Sequence, residues 1–495
     1  MATVLVFVVC LPLVAALAAC VTPTRVTPYV SMVLSTGTFV LSLALVVGVA
    51  HRAISAGSTL RVDALSEVFL LAVTFLYFTT VIFARGYVTR ATSPRDQKYS
   101  RRFYVGLNLF CWTLVLVPLV NGLALLWIAI EVTTVVSALL VAIDETDGAA
   151  EAAWKYVLLA SLGLGIALFA TIMMYYAGTA VLGASYQLSY TTLLSGAGHF
   201  RPDVVRFSFV LAVLGYGTKM GLFPVHTWLP DAHSEAPTPV SALLSGALLV
   251  SSFYAILRFF QIAVRTLGPS FPRDVLLIFG VATLLLASLY LLSQRDMKRL
   301  LAYSSVEHMG ILAVGMSFGA PVAVVGVLLL VLAHAAAKGS AFFGVGSVVR
   351  KFHTKDMTKI RGGVGVLPWS GPLLVLFVLA LSALPPFGIF RSEFLIVEGG
   401  LSRPHDVAAA ALVVLVVVAF FGLSWFTTQT MLSPDPEASS AVTAGSAPMV
   451  RAEVSYWIVA AMIIGLVALL LLGIHPPSQL SHLLDRAAYE LRSTK

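Results

Sequence analysis

Six titratable residues stand in stretches that are otherwise apolar. Glu131 lies in LLWIAIEVTTVVSALLVA, Lys219 in FSFVLAVLGYGTKMGLFPVHTW, and His308 in LLAYSSVEHMGILAVGM beside Glu307. His334 and Lys338 lie in VLAHAAAKGSAFF, four residues apart and so on one helix face. Glu393 lies in PPFGIFRSEFLIV, next to Arg391. Residues of these types take up and release protons. Each one alone reads as an ion pair or a hydrogen-bonded core residue that fixes packing. A charge at mid-bilayer, however, costs about 2.5–3.5 kcal/mol, and buried pairs add little stability relative to apolar substitutes. Titratable groups on five separate spans are better explained by a polar, partly hydrated path through a membrane.

The elements that must position these residues are membrane helices. Of the 495 residues, 59% are hydrophobic and 11% charged, against about 25% charged in soluble domains. Such a surface suits lipid. Apolar runs of 18 or more residues recur from end to end, each able to cross a core of about 30 Å. They lack the period-2 alternation of a transmembrane barrel. A net charge of +8 then reflects basic loops at one membrane face rather than nucleic-acid binding. Cys10, Cys20 and Cys111 sit in apolar helices without metal-ligand spacing, so they are expected as packing residues, with no bound metal and no Fe–S cluster. Leu17–Cys20 resembles a lipoprotein cleavage box, but no Lys or Arg precedes Arg25, and the segment reads as an ordinary first span.

The expected fold is an all-α polytopic membrane protein of about fourteen transmembrane helices. Spans are read near 3–21, 29–50, 64–83, 103–119, 122–142, 155–176, 207–225, 239–262, 275–293, 300–317, 322–348, 369–398, 407–430 and 453–473. Lys219 falls about 18 Å from Phe207 along its helix, near the midplane. The seventh span is interrupted at Pro224, just after Lys219, and the twelfth at Pro385 and Pro386, just before Glu393. Irregular backbone at membrane depth is tolerated where it lines a cavity or water. Broken helices in two halves of a chain point to inverted repeats. The expected organisation is therefore helices 1–3 with a basic loop over 1–102, a first five-helix half over 103–262, a second over 263–430, and helix 14 with a tail over 431–495.

Basic residues in alternate loops number seventeen against ten, with dense clusters at 85–102 and 350–361 in the richer set. That set is expected in the cytoplasm, leaving both termini outside an inner (plasma) membrane. Residues 478–492 place Leu480, Leu483, Leu484, Ala487, Ala488 and Leu491 at helical spacing, with Asp485, Arg486 and Arg492 off that face. This predicts an amphipathic helix along the membrane surface or on a partner.

The run GYGTKMGLFPVHTWLPDAHSEAPTPVSALLSG, residues 215–246, closely resembles the signature of the antiporter-like membrane subunits of respiratory complex I, cation/proton antiporters and membrane-bound hydrogenases. LAYSSVEHMG, LAHAAAKGSAFF and LPPFGIFRSEF match in order, so the resemblance covers nearly the whole chain. SVEHMG at 305–310, with Glu307, and EAAWKYVLLASLGLGIALF at 151–169 look like hydrogenase-4 component F, a subunit of formate-hydrogenlyase-type complexes.

This resemblance implies that Glu131 and Lys219 form the Glu–Lys pair of a first half-channel. It implies that His334 and Lys338 lie on the central connecting helix, and that Glu393 is the terminal titratable residue of the second half; His308 is a further candidate proton carrier. One position departs. Several relatives carry a Lys or His on the eighth span, where this chain has only Ser241, Ser245, Ser251 and Ser252.

The expected activity is proton translocation along buried Glu, Lys and His side chains, driven by a partner's redox chemistry. The chain itself should hold no redox centre and no cofactor. Expected partners are other membrane subunits, peripheral redox subunits with Fe–S, [NiFe] or quinone chemistry, and lipid, but not nucleic acid. The rival readings are a cation/proton antiporter subunit and a structural membrane anchor.

Overall fold

The computed structural model describes residues 1–88, 93–402, 406–434 and 450–492. Arg90, Arg403 and Lys495, counted above among the loop charges, lie outside the described residues. Helices dominate because a backbone in lipid must pair its polar groups within its own segment. They are α1 (Ala2–Val21), α2 (Thr27–Val49), α3 (Ala64–Tyr87), α4 (Pro94–Leu119), α5 (Leu123–Val141), α6 (Asp147–Leu182), α7 (Tyr190–Gly196), α8 (Pro202–Met220), α9 (Trp228–Glu235), α10 (Thr238–Leu243) and α11 (Leu249–Leu267). There follow α12 (Ser270–Leu291), α13 (Met297–Phe318), α14 (Pro321–Phe352), α15 (Gly363–Val366), α16 (Ser370–Leu381), α17 (Gly388–Leu401), α18 (Asp406–Met431), α19 (Tyr456–Ile474) and α20 (Ser478–Arg492).

Among the described residues, eleven helices are long and apolar enough to cross a membrane, with α10 and α11 forming one of them. At the remaining expected spans stand α8, α13 and the pair α16–α17, which are more polar or shorter. These are the segments that carry Lys219, Glu307 with His308, and Glu393. Lys219, His308 and Glu393 thus sit where apolarity is interrupted, whereas Glu131 on α5 and His334 and Lys338 on α14 stand within apolar spans.

Side-chain caps fix several helix starts. Asp63 accepts from the Ser66 N–H at 2.9 Å to begin α3, and Asp296 accepts from Lys298 and Arg299 to begin α13. Glycines set how closely two neighbouring helices approach. A Cβ on Gly215 of α8 would fall 2.5 Å from the Ala167 nitrogen and 2.7 Å from the Gly163 carbonyl of α6. Close backbone crossing through small residues is the usual means of helix association in lipid.

At one end of the bundle, Asp63 also accepts from the Arg258 guanidinium of α11 at 2.6 Å. Arg258 further donates to Ser66, Tyr254 and Gln261. Burial pushes the Asp63 carboxyl up, but the Arg258 charge and hydrogen bond and the Ser66 N–H outweigh it and hold it down at about 2. Truncating one partner of such a pair strands the other, at a cost of about 3–5 kcal/mol.

The fold is predominantly helical, with one short antiparallel hairpin of β1 (Ile54–Ala56) and β2 (Leu60–Val62), turning at Gly57 with φ +69°. Two expectations are corrected. Cys10 and Cys20 are exposed on α1 and only Cys111 is buried, because an apolar helix at the edge of a bundle turns one face to lipid. The amphipathic helix 478–492 is present as α20, but its buried residues Leu483, Leu484, Ala487, Ala488 and Leu491 pack on the protein's own α3, α14 and α11.

Docking of α20 brings Glu490 beside the Asp63–Arg258 pair, where its carboxylate accepts from the Leu65 N–H at 3.4 Å. Burial, and next the Asp63 charge, push the Glu490 carboxyl up to about 7. Free of the bundle it ionises near 4.5, so docking is favoured by the bound proton. That contribution is fully present below pH 4.5 and is lost as pH rises through about 7. Hydrogen exchange over 478–492, corrected for intrinsic rates, is expected to be faster at pH 8 than at pH 5.5. Glu490→Gln should flatten the difference; an unchanged pH response in that variant would show that another group is responsible.

Candidate functional site

The first cluster forms where α8 ends. Gly221 adopts φ +91°, the helix stops, and non-helical chain containing Pro224 leads to α9. Lys219, in the last turn of α8, is fully buried. Its ammonium donates to the Ile130 carbonyl at 2.9 Å, to Thr133 Oγ1 at 2.8 Å and to Thr134 Oγ1. Three donors therefore meet three acceptors, all on α5.

Glu131 is the neighbour of Ile130, half-buried, with Oε1 accepting from Ser161 at 3.4 Å and Oε2 without a partner. Its charge acts on Lys219, yet among the described residues no ion pair joins the two. The expected Glu–Lys pair is thus a lysine anchored on the turn that carries the glutamate. Beyond it, Ser137 bonds the Tyr156 hydroxyl at 2.9 Å, and the Tyr156 and Trp228 rings lie 4.5 Å apart.

The second cluster brings together α13, α14 and α17. His308 Nδ1 donates to the Ser304 carbonyl at 2.7 Å, and the same nitrogen is 3.8 Å from Glu307 Oε2. On the other side of the ring, His308 Nε2 is 3.9 Å from Glu393 Oε1. The His308 and His334 rings lie 5.1 Å apart. Lys338 donates to the Leu301 carbonyl at 3.3 Å, and the Glu307 charge acts on it. All five side chains are buried. The break between α16 and α17 contains Pro385 and Pro386 and delivers Glu393 to this cluster. Arg391 does not pair with Glu393; it donates to the Gly473 and Ile474 carbonyls at 3.2 Å.

Two further histidines were missed by sequence reasoning. His233 on α9 is fully buried, with Nδ1 on the Leu229 carbonyl at 2.7 Å and Nε2 without a partner. Its ring lies 6.0 Å from Phe342 of α14, and the charge of Lys338 reaches it. His226, also buried, leaves Nδ1 without a partner. Both follow Pro224, in a stretch assigned to a connection between spans, so neither was weighed as a membrane-depth residue. Glu307 stands in the sequence as the neighbour of His308 and as part of SVEHMG but not among the candidate proton carriers, and the structure places it near both His308 and Lys338.

Ion pairs gather at the start of α6, the end of α9 and the connections flanking α13 and α14. Lys355 reaches Glu235 at 2.7 Å and Asp296 at 3.5 Å, and Asp231 meets Arg299 at 3.1 Å and Lys155 at 3.7 Å. These groups are partly exposed, and such pairs stabilise by about 0–1 kcal/mol each. They present carboxylates to water beside the buried groups.

The sequence pattern of the family described as "NADH:quinone oxidoreductase/Mrp antiporter, TM" matches residues 120–419. A hydrogenase-4 component F homolog of Methylacidiphilum infernorum is 37% identical over 366 residues, covering 73% of this chain and 76% of that one. Among solved structures, the Mrp complex from Dietzia sp. aligns with TM-score 0.85 at 18% identity, over 99% of this chain and 97% of that one. Respiratory complex I from Thermus thermophilus aligns with TM-score 0.81 at 21% identity, over 98% of this chain and 99% of that one.

Proposed function

This chain belongs to the NADH:quinone oxidoreductase/Mrp antiporter transmembrane family, as a proton-translocating membrane subunit of hydrogenase-4-type or complex I-type assemblies, and from that premise we propose the route its protons take. Protons enter past the carboxylates of the ion pairs at the start of α6 and the end of α9 and reach Lys219, with Glu131 as the movable charge beside it. They continue to His334 and Lys338, and leave by way of Glu307, His308 and Glu393. The observation that carries this reading is His308, buried between Glu307 and Glu393 at 3.8 and 3.9 Å and against His334. Burial favours the neutral form of a lysine and a nearby carboxylate favours the charged form. A displacement of Glu131 therefore changes how firmly Lys219 holds its proton, and the linked groups titrate together.

The proposed arrangement has fourteen crossings, α8–α9 and α16–α17 each counted once. The two halves are inverted repeats over 103–262 and 263–430, flanked by 1–102 and 431–495. Energy comes from peripheral redox subunits with Fe–S, [NiFe] or quinone chemistry, joined through other membrane subunits. The test is proton uptake by vesicles carrying the whole complex, energised through its electron donor, with and without sodium. Uptake that persists without sodium supports the reading. An absolute sodium requirement would replace it with cation/proton exchange.

The basic residues of 85–102 are proposed to face the cytoplasm, with both termini outside, on the loop bias and the dense clusters near helix ends. A periplasm-active reporter fused after Lys495 is expected to signal and a cytoplasm-active one to stay silent. The opposite pair of results would invert the topology.

A further inference from the structure

Four serines occupy the eighth span, and one of them differs from the rest. Ser251 and Ser252 donate to carbonyls of their own span, Ala247 and Leu248. Ser241 donates to the chain just before it, at His233, Ala236 and Pro237. Only Ser245 bonds another spanning helix: its Oγ lies 2.7 Å from Ser305 Oγ of α13.

Residues Leu244–Leu248, between α10 and α11, wind as a π-helix in a span buried from Thr238 to Val264. Such turns loosen the regular carbonyl ladder and occur often at functional positions. Here the Ser245 carbonyl lies 3.2 Å from His334 Nε2. Ser305 Oγ donates to the Leu301 carbonyl at 2.9 Å, and Lys338 Nζ donates to that same carbonyl at 3.3 Å. Ser304, the next residue back, accepts from His308. Gly246 and Gly339 both leave room for Leu76 of α3: a Cβ on either would fall 2.7 or 2.3 Å from its methyls.

We propose that Ser245 and Ser305 form a hydroxyl relay that passes protons from the eighth span to Lys338. The inference rests on the route proposed above. A hydroxyl has one donor and two acceptor positions. Since Ser305 donates to Leu301, Ser245 donates to Ser305, and the Ser245 lone pairs are open to an incoming proton. A hydronium on the Lys219 side delivers that proton to Ser245 and reverts to water, and the hydrogen of Ser245 moves to Ser305. The hydrogen of Ser305 turns off the Leu301 carbonyl, which Lys338 also bonds, and moves to the neutral amine of Lys338, which has already released its own proton to the exit side. One O–H or N–H bond forms for each that breaks, and neither serine is left charged. Both hydroxyls must then rotate back, so the pair conducts protons without storing them.

The test uses the whole complex in vesicles, with proton uptake normalised to electrons transferred and subunit stoichiometry checked in the membrane. Ser245→Ala and Ser305→Ala are each expected to lower normalised uptake about tenfold or more. The double variant should be no worse than either single one, because the two act in series. Ser245→Thr, which keeps the hydroxyl, should retain uptake well above Ser245→Ala. A purely structural serine gives a different pattern, with Thr as harmful as Ala or the two Ala effects multiplying, and either result overturns the relay. Lys338→Leu is measured alongside. If it abolishes uptake while both serine variants pump normally, the relay alone is wrong. If Lys338→Leu itself pumps normally, the route is wrong.

Discussion

Lys219→Arg is expected to abolish most coupled proton translocation, by about tenfold or more, while the complex still assembles. Arginine keeps a positive charge beside Glu131 but does not release a proton at any working pH. Lys219 donates to Ile130, Thr133 and Thr134, and its charge and that of Glu131 act on each other. If its role were only to tie α8 to α5, a guanidinium could bond the same carbonyl and hydroxyls and pumping would survive. If its role is titration, Lys219→Arg fails as Lys219→Ala does. Proton uptake by vesicles carrying the whole complex distinguishes the two. A Lys219→Arg protein that pumps normally would end the proton-carrier role.

The second large effect is expected at Glu393. Its Oε1 lies 3.9 Å from His308 Nε2, and the adjacent Arg391 is committed to backbone carbonyls. Glu393→Gln keeps size and hydrogen-bonding capacity but removes the titrating proton. Coupled translocation is expected to fall by about tenfold or more, with Glu393→Asp intermediate because the carboxylate survives on a shorter stem. Amounts of Glu393→Gln protein in the membrane should stay near normal, since a neutral amide is easier to bury than a carboxylate. Normal uptake in the Gln variant would remove Glu393 from the route and leave Glu307 as the sole carboxylate next to His308.

Much of the site was legible as a list of residues and little of it as a set of contacts. The charges on α5, α8, α13, α14 and α17 stood out because each contradicts its own apolar neighbourhood, a comparison made within a few residues. The breaks at Pro224 and at Pro385 with Pro386 were visible for the same local reason: proline lacks the N–H a helix needs. His233 escaped notice because its surroundings, WLPDAHSE, are polar in sequence. It is buried only because α9 folds back against α6 and α13, which brings its ring to Phe342 of α14.

What the sequence by itself determined was the solvent of each segment. The cost of placing a residue in hydrocarbon depends on its type, so composition and run length alone marked the membrane helices, their interruptions and the amphipathic 478–492. What only the tertiary structure decided was which groups meet. Lipid and protein interior are equally apolar, so no pattern separated the lipid-facing Cys10 from the buried Cys111, or told that the apolar face of α20 covers α3. Meetings between helices depend on crossings set by close contacts such as Gly163 with Gly215. Those crossings place Lys219 on the Ile130 carbonyl rather than on Glu131, set His308 between two carboxylates, and bring Ser245 to Ser305. A proton needs neighbours within hydrogen-bond reach, and that proximity is a property of packing.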